Sequence, residues 1–363
     1  MAARISNHAK IILTIALKDI AQATKDRTIL GVIIGVFMLI MPSQLIPLVL
    51  QSENIPLAVV YGSEPTYLAN ALSDLPDTSA FSVRTLPDIK EEIASGRSNI
   101  IGLALPEDFS SKISTNEKIT IEAYLPHWTA PEEADRLVQH FENKIELITE
   151  NPVEITIVDD QIYPDENTRG AEVMFILQLI NVTMTLTLVM VPQLMMVEKE
   201  THTLDALLIS PAHLSDLVAG KGLVGTFFAV IGVLIIVLMN LKIVAHWPLL
   251  ILSIISGIVF AVLTGLLIGL LFDNFQQASL VLSLVAIAAI GPAFVDLILT
   301  VDLPETVTQI MNLLPSKRLA DLLLMSLMKT VDIQTALLGL GVIWIINLLL
   351  FSLNMWQIKA QMK

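Results

Sequence analysis

The chain has 363 residues, of which 54% are hydrophobic and only 15% charged, and its formal net charge is −14. A soluble domain carries about 25% charged residues, so the composition speaks against an ordinary soluble enzyme, and the absence of cysteine removes disulfides, thiolate chemistry and cysteine-held metals. The acidity is confined: residues 51–170 hold 22 Asp and Glu against 8 Lys and Arg, while the 13 acids and 13 bases elsewhere cancel. Such a surface argues against nucleic acid or anionic lipid as its partner. Its plainest role is solubility.

Residues 1–27 are basic and amphipathic. Arg4, Lys10, Lys18, Lys25 and Arg27 are interleaved with Ile5, Ile11, Ile12, Ile15 and Leu17. A helix there is expected to lie in the membrane interface with its cations toward the headgroups. No short apolar stretch ends in a small-residue cleavage site, so no cleavable signal peptide is expected. The first span is placed at 28–50, where Pro42 and Pro47 kink or end it.

Residues 51–170 read as an α/β domain. Leu57–Tyr61 is a predicted strand, Glu64–Asp74 a helix and Phe81–Leu86 a strand. Pro87–Ser95 is a helix opened by proline, Asn99–Leu105 a buried strand and Lys118–Leu125 another. Pro131–Thr149 is a long amphipathic helix, and Val153–Val158 the last strand. Alternating strands and helices imply a partly parallel sheet.

The region 171–363 supplies five more spans, near Val173–Val197, Gly222–Leu241, Pro248–Phe272, Ala278–Thr300 and Thr335–Trp356. About 20 apolar residues at 1.5 Å each cross a hydrocarbon core of about 30 Å. Residues 301–334, broken by Pro304 and Pro315, are too polar to span and read as short helices at the outer surface. The fold class is therefore an α-helical polytopic membrane protein with six transmembrane helices and an inserted extracellular α/β domain. With the N-terminus inside, the inner segments hold Arg4, Lys10, Lys18, Lys25, Arg27, Lys199, Lys221, Lys359 and Lys363. The short outer segments hold only Lys242, Lys317, Arg318 and Lys329. This bias puts both termini in the cytoplasm.

Polar residues within spans are functional candidates by default. Gln178, Asn181 and Thr185 share one face of the second span. That face either lines a translocation path or bonds helices together in the bundle or dimer. Gly257, Ala261, Gly265 and Gly269 form a small-residue stripe, read as close helix packing. No catalytic constellation and no metal-ligand cluster is visible, and the phosphate-cradling motif is absent. Its one approximation, Gly220-Lys221, is followed by Gly222 and has Ser215 where the first glycine belongs.

The most telling stretch is the loop 198–221, EKETHTLDALLISPAHLSDLVAGK. Thr203, Leu204, Leu207 and Leu208 fall on one helical face, with Glu198, Lys199 and Glu200 polar at its start. Such a helix either docks into a groove on a partner or rests on the lipid surface. Glu198, Glu200, Thr203, Leu204, Leu207, Leu208, Ser210, Pro211, Gly220 and Lys221 resemble the cytoplasmic loop of ABC type-2 transporter permeases. His202 departs from the usual glycine and Asp205 from the frequent glutamate. The lead-in Lys18-Asp19 to Thr28 and the segment SNIIGLALPEDF (98–109) are similar to the branch with a large domain between the first two spans.

The resemblance implies a permease of an ATP-binding-cassette exporter in the cell (inner) membrane. It would dimerise with an identical or closely homologous copy and contact membrane lipid, with a periplasmic or extracellular accessory protein as a further partner. A separate cytoplasmic ATPase would hold ATP and Mg, leaving this chain without cofactor or metal. Coupling to that ATPase would fall to Glu198, Glu200, Thr203, Leu204, Leu207, Leu208 and Pro211, together with the helix Ile5–Ala23. The alternative is a non-transporting receptor or mechanotransmitter that uses the extracellular domain. An ion-coupled secondary transporter would need ionisable residues at the membrane midplane, which are nearly absent.

Overall fold

The computed structural model describes residues 2–23, 55–94, 99–158, 162–164, 171–200, 213–298 and 304–361, with isolated positions between 25 and 38. They divide into two compact units, one of Met1–Pro42, Phe175–Ser326 and Thr330–Lys363, the other of Ser43–Met174 and Leu327–Lys329. Apart from those isolated positions, the expected span at 28–50 falls outside the described residues.

The second unit is an α/β fold. In chain order it contains β1 (Leu57–Tyr61), α2 (Pro65–Ser73), β2 (Ser79–Ser82), α3 (Leu86–Ala94), β3 (Ile100–Ala104), α4 (Phe109–Thr115), β4 (Ile119–Tyr124), α5 (Pro131–Thr149) and β5 (Val153–Ile157). The helix ahead of it, α1, spans Ala2–Ala23. The sheet order is β2-β1-β3-β4-β5. Every pairing is parallel except β3 with β4. The central strands β1 and β3 are apolar on both faces because helices cover both. Leu68 and Leu72 of α2, Phe109 of α4 and Leu137, Phe141 and Ile145 of α5 fill one side. Ile89 and Ile93 of α3 fill the other.

Local chemistry sets the boundaries. Pro65 and Pro131 open α2 and α5, where a missing N–H costs nothing. The strand expected at Phe81–Leu86 lies earlier, at Ser79–Ser82. The Thr85 N–H donates to Asp88 Oδ2 at 2.9 Å, and the Asp88 N–H to Thr85 Oγ1 at 3.3 Å. This reciprocal cap starts α3 before a longer strand can form. The unpredicted α4 is ended by Asn116 at φ 54°.

Side chains occupy part of both sheet edges. On β5, the Val153 and Ile155 N–H groups donate to Glu146 Oε1 (3.0 Å) and Glu142 Oε1 (2.7 Å) of α5. On β2, Ser73 Oγ accepts from the Ala80 N–H at 3.1 Å and donates to the Ala80 carbonyl at 2.8 Å. An edge whose polar groups are occupied does not template another strand.

The first unit is helical. After α1 it contains α6 (Ala171–Glu200, which begins in the α/β unit), α7 (Leu214–Met239), α8 (Trp247–Leu271), α9 (Phe275–Ile298), α10 (Glu305–Met311), α11 (Pro315–Met325) and α12 (Ile333–Gln361). Among the described residues α6, α7, α8, α9 and α12 are long and apolar enough to cross a membrane. Two boundaries differ from expectation. Glu198–Glu200 finish α6 instead of opening a separate helix, and Gly220–Lys221 sit within α7 instead of preceding a span.

Helices α8 and α12 pack side by side. The amides of Asn347, Asn354 and Gln361 donate to the carbonyls of Ser256 (3.2 Å), Leu263 (2.9 Å) and Leu270 (2.7 Å). Donors and acceptors both advance by seven residues, so the helices run parallel and in register, with the period of a left-handed crossing. Each such bond within a membrane bundle contributes about 1 kcal/mol.

In the α/β unit, His140 on α5 is half-buried. Burial, and secondarily the Lys144 ammonium, lowers its pKa below the ordinary 6.5, against an opposing pull from Asp77. A depressed folded value means the unfolded chain takes up the proton first. This contribution is therefore intact above about pH 6.5 and is lost as the pH falls through the folded value. The protection factors of α5 amides in the full-length protein, taken relative to the intrinsic exchange rate at each pH, should fall between pH 7 and 5, and His140→Gln should flatten that trend. An identical trend in the variant would assign the acid sensitivity elsewhere.

Candidate functional site: a buried ion cluster joining four helices

Lys221 is 1% exposed, in a helix whose other described residues are mostly apolar. Its ammonium donates to Glu198 Oε1 at 2.6 Å and lies 2.8 Å from Asp19 Oδ2. The Asp19 contact is close enough for an ion pair but not aligned as a hydrogen bond. Asp19 and Glu198 are themselves buried. Both sit toward the C-terminal ends of α1 and α6, where the helix dipole disfavours negative charge. The lysine offsets that penalty at both ends at once. A cavity of about 30 Å³, lined by Asp19, Gln22, Glu198 and Lys221 among others, is large enough for one water with polar partners.

The next residue extends the network. Lys199 Nζ donates to the carbonyls of Leu270 (3.1 Å) and Phe272 (2.8 Å) and to Asp273 Oδ1 (3.4 Å). Gln361 Nε2 shares the Leu270 carbonyl. A cation at these last carbonyls satisfies acceptors that the helix leaves open. The dipeptide Glu198-Lys199 thus ties the end of α6 to α7 with one side chain and to the end of α8 with the other.

Two contacts dock α1 on α7. A Cβ at Gly220 would fall 2.8 Å from Ile15 Cγ2, so glycine permits the close approach. At the head of α7, the Asp216 carboxylate accepts the His213 N–H (3.1 Å) and faces His8 Nδ1 (2.9 Å). The His8 and His213 rings stack with centroids 5.4 Å apart.

The sequence-derived candidates distribute as follows. Glu198 belongs to the cluster, and Glu200 is exposed at the end of α6. Thr203, Leu204, Leu207, Leu208 and Pro211 lie outside the described residues. Gln178, Asn181 and Thr185 are half-exposed at i, i+3 and i+7 on an otherwise mostly buried α6, with Thr185 Oγ1 donating to Asn181 Oδ1 at 3.0 Å. In the small-residue stripe, Gly257 faces Leu319 of α11, Gly265 the Thr187 carbonyl and Gly269 Met195 of α6, while Ala261 is fully buried. Sequence reasoning missed Asp19, His8, Asp216 and the role of Lys199. It also missed Glu172, buried in the first turn of α6 with neither carboxylate oxygen hydrogen-bonded among the described residues.

A protein-family model described as "ABC-2 family transporter protein" matches residues 28–356. Comparison with curated proteins and with solved structures gives no match.

Lys221→Met leaves two carboxylates buried together. It is expected to cost about 3–5 kcal/mol, the usual consequence of removing one partner of a buried pair. The triple variant Asp19→Asn/Glu198→Gln/Lys221→Met should recover most of that loss. Thermal unfolding of the detergent-solubilised protein distinguishes them, and a single variant as stable as the parent would contradict the cluster.

Proposed function

The chain belongs to the ABC-2 family of transporter proteins as a multi-pass permease subunit, and from that premise we propose that it carries substrate outward on energy from a separate cytoplasmic ATPase. The observation that carries this reading is the extent of the family match, from the first expected span into the last membrane helix. ATP and Mg would reside on the partner, and a second copy of the permease would complete the path. The Lys/Arg bias supports cytoplasmic termini, and the inner membrane is the expected site.

The ion cluster suggests how the coupling works. Residues 201–212 are bracketed by Glu198–Glu200 on α6 and His213–Lys221 on α7. Both brackets are fixed to α1 and, through Lys199, to α8. A push on the loop from a closing ATPase would therefore be felt by four helices as one piece. The faces of Leu204, Leu207 and Leu208 would meet the ATPase. Leu13 and Leu17 of α1, more than half exposed, would face lipid while Ala16 and Asp19 face α7. The half-exposed stripe Gln178–Asn181–Thr185 is the proposed path lining.

Tagged protein purified in mild detergent is expected to bring down an ATPase bearing the phosphate-cradling motif, and Leu204→Asp/Leu207→Asp/Leu208→Asp is expected to lose it. Export should cease on ATP depletion. Absence of an ATPase from both preparations would overturn the coupling, and the outer domain as a receptor would become the better reading.

A further inference from the structure

We propose that the α/β unit binds an organic cation, a protonated amine on a flat or hydrocarbon body, in the cleft at the carboxyl ends of β1 and β3. The topology makes the cleft. After β1 the chain turns through α2 toward β2, and after β3 it turns through α4 toward β4. Neighbouring parallel strands whose connections part in this way leave a crevice at their carboxyl ends, which is where open α/β sheets hold ligands. Here the crevice is widened because α3 packs over β1 and β3 and leaves Thr120 and Glu122 of β4 exposed. The cavity measures about 800 Å³, within the span of small-molecule sites.

Its floor is built for close approach. Gly62 has φ 115°, and a Cβ there would lie 2.3 Å from the Leu105 carbonyl oxygen. The Leu105 N–H donates to the Tyr61 carbonyl at 2.8 Å, so the two strand ends stay joined beneath the cavity. The walls carry Tyr61, Tyr124, Glu107, Glu122, Ser63 and Thr120.

The charge pattern selects the ligand. Among the described residues of the lining Lys112 is the one cation, and its ammonium is already 2.9 Å from Asp108 Oδ2. Glu107 and Glu122 leave the cleft acidic, within a segment whose net charge is −14. The Tyr124 hydroxyl donates to Glu122 Oε2 at 3.4 Å, which holds that carboxylate beside the ring. Lys90 places an ammonium 6.0 Å from the Tyr124 centroid, so this ring already attracts one cation. Aromatic faces beside carboxylates recognise ammonium groups, whereas an anion would meet two carboxylates. Side chains occupy part of both sheet edges, which disfavours strand addition there, and the cleft offers a concave surface to a small ligand. The inference stands whether or not the protein exports anything.

The test is calorimetric titration of the full-length protein in nanodiscs of zwitterionic lipid. Benzylammonium is the probe, and inorganic phosphate and maltose are the comparisons at equal ionic strength. Saturable binding of the ammonium alone is expected, weakened at least tenfold by Glu107→Gln/Glu122→Gln and by Tyr124→Leu. Both glutamates are exposed, so an unchanged melting profile of the double variant separates lost binding from lost folding. Preference for phosphate or maltose, saturable binding of none of the three, or undiminished binding in the folded double variant would each overturn the proposal.

Discussion

A lysine buried in a membrane helix is tolerable only where acids meet it, and the helical unit is organised around that constraint at Lys221. Asp19 and Glu198 approach from two other helices, and the shared cation offsets the penalty each meets at its own helix end. The Gly220 notch sets α1 against α7 closely enough for Asp19 to reach. The consecutive Lys199 uses its opposite charge to close the end of α8. Apolar packing alone would let these helices slide, because lipid is as apolar as leucine. Ion pairs of fixed geometry do not permit sliding. A joint of this kind beside the loop that an ATPase would touch can pass force without dissipating it.

The rest of the bundle repeats this logic with weaker interactions. Three amides at seven-residue intervals hold α12 in register with α8. Three glycines let α8 approach α6 and α11 within side-chain contact. Polar atoms in the spans therefore serve first to fix neighbours. The half-exposed stripe on α6 remains partly open, and within it Thr185 bonds back to Asn181 of the same helix.

Much of this was legible in the sequence where a local signal coincides with the structural cause. Pro131 begins α5 as its residue type dictates, whereas the helix ends at Glu150 in the αL conformation, which glutamate does not itself favour. Leu57–Tyr61 and Ile100–Ala104 read as buried strands because parallel strands covered on both faces are continuously apolar. Where a side chain decided, the reading slipped: the Thr85–Asp88 cap shortened β2. The antiparallel step between β3 and β4 was not legible, since an apolar run carries no direction. The ion cluster was also hidden. Asp19, Glu198 and Lys221 are brought together only by tertiary packing, and Gly220-Lys221 showed itself as a motif without its geometry. The spacing of Asn347, Asn354 and Gln361 was available, but its acceptors are backbone carbonyls that no sequence pattern marks.

The central claim is that α1 and the head of α7 move as one body when the ATPase turns over. The chain has no native cysteine, so spin labels at Leu17→Cys and Leu223→Cys, both exposed, report that distance cleanly. Pulsed electron-paramagnetic-resonance distances would be measured in the assembled complex without nucleotide and with ATP and vanadate. With labelled chain diluted into excess unlabelled chain, so that label pairs between copies drop out, the account predicts one narrow distribution, unchanged between the two states. A shift or a second population on nucleotide binding would show that the joint opens, and the rigid-coupling account would fall.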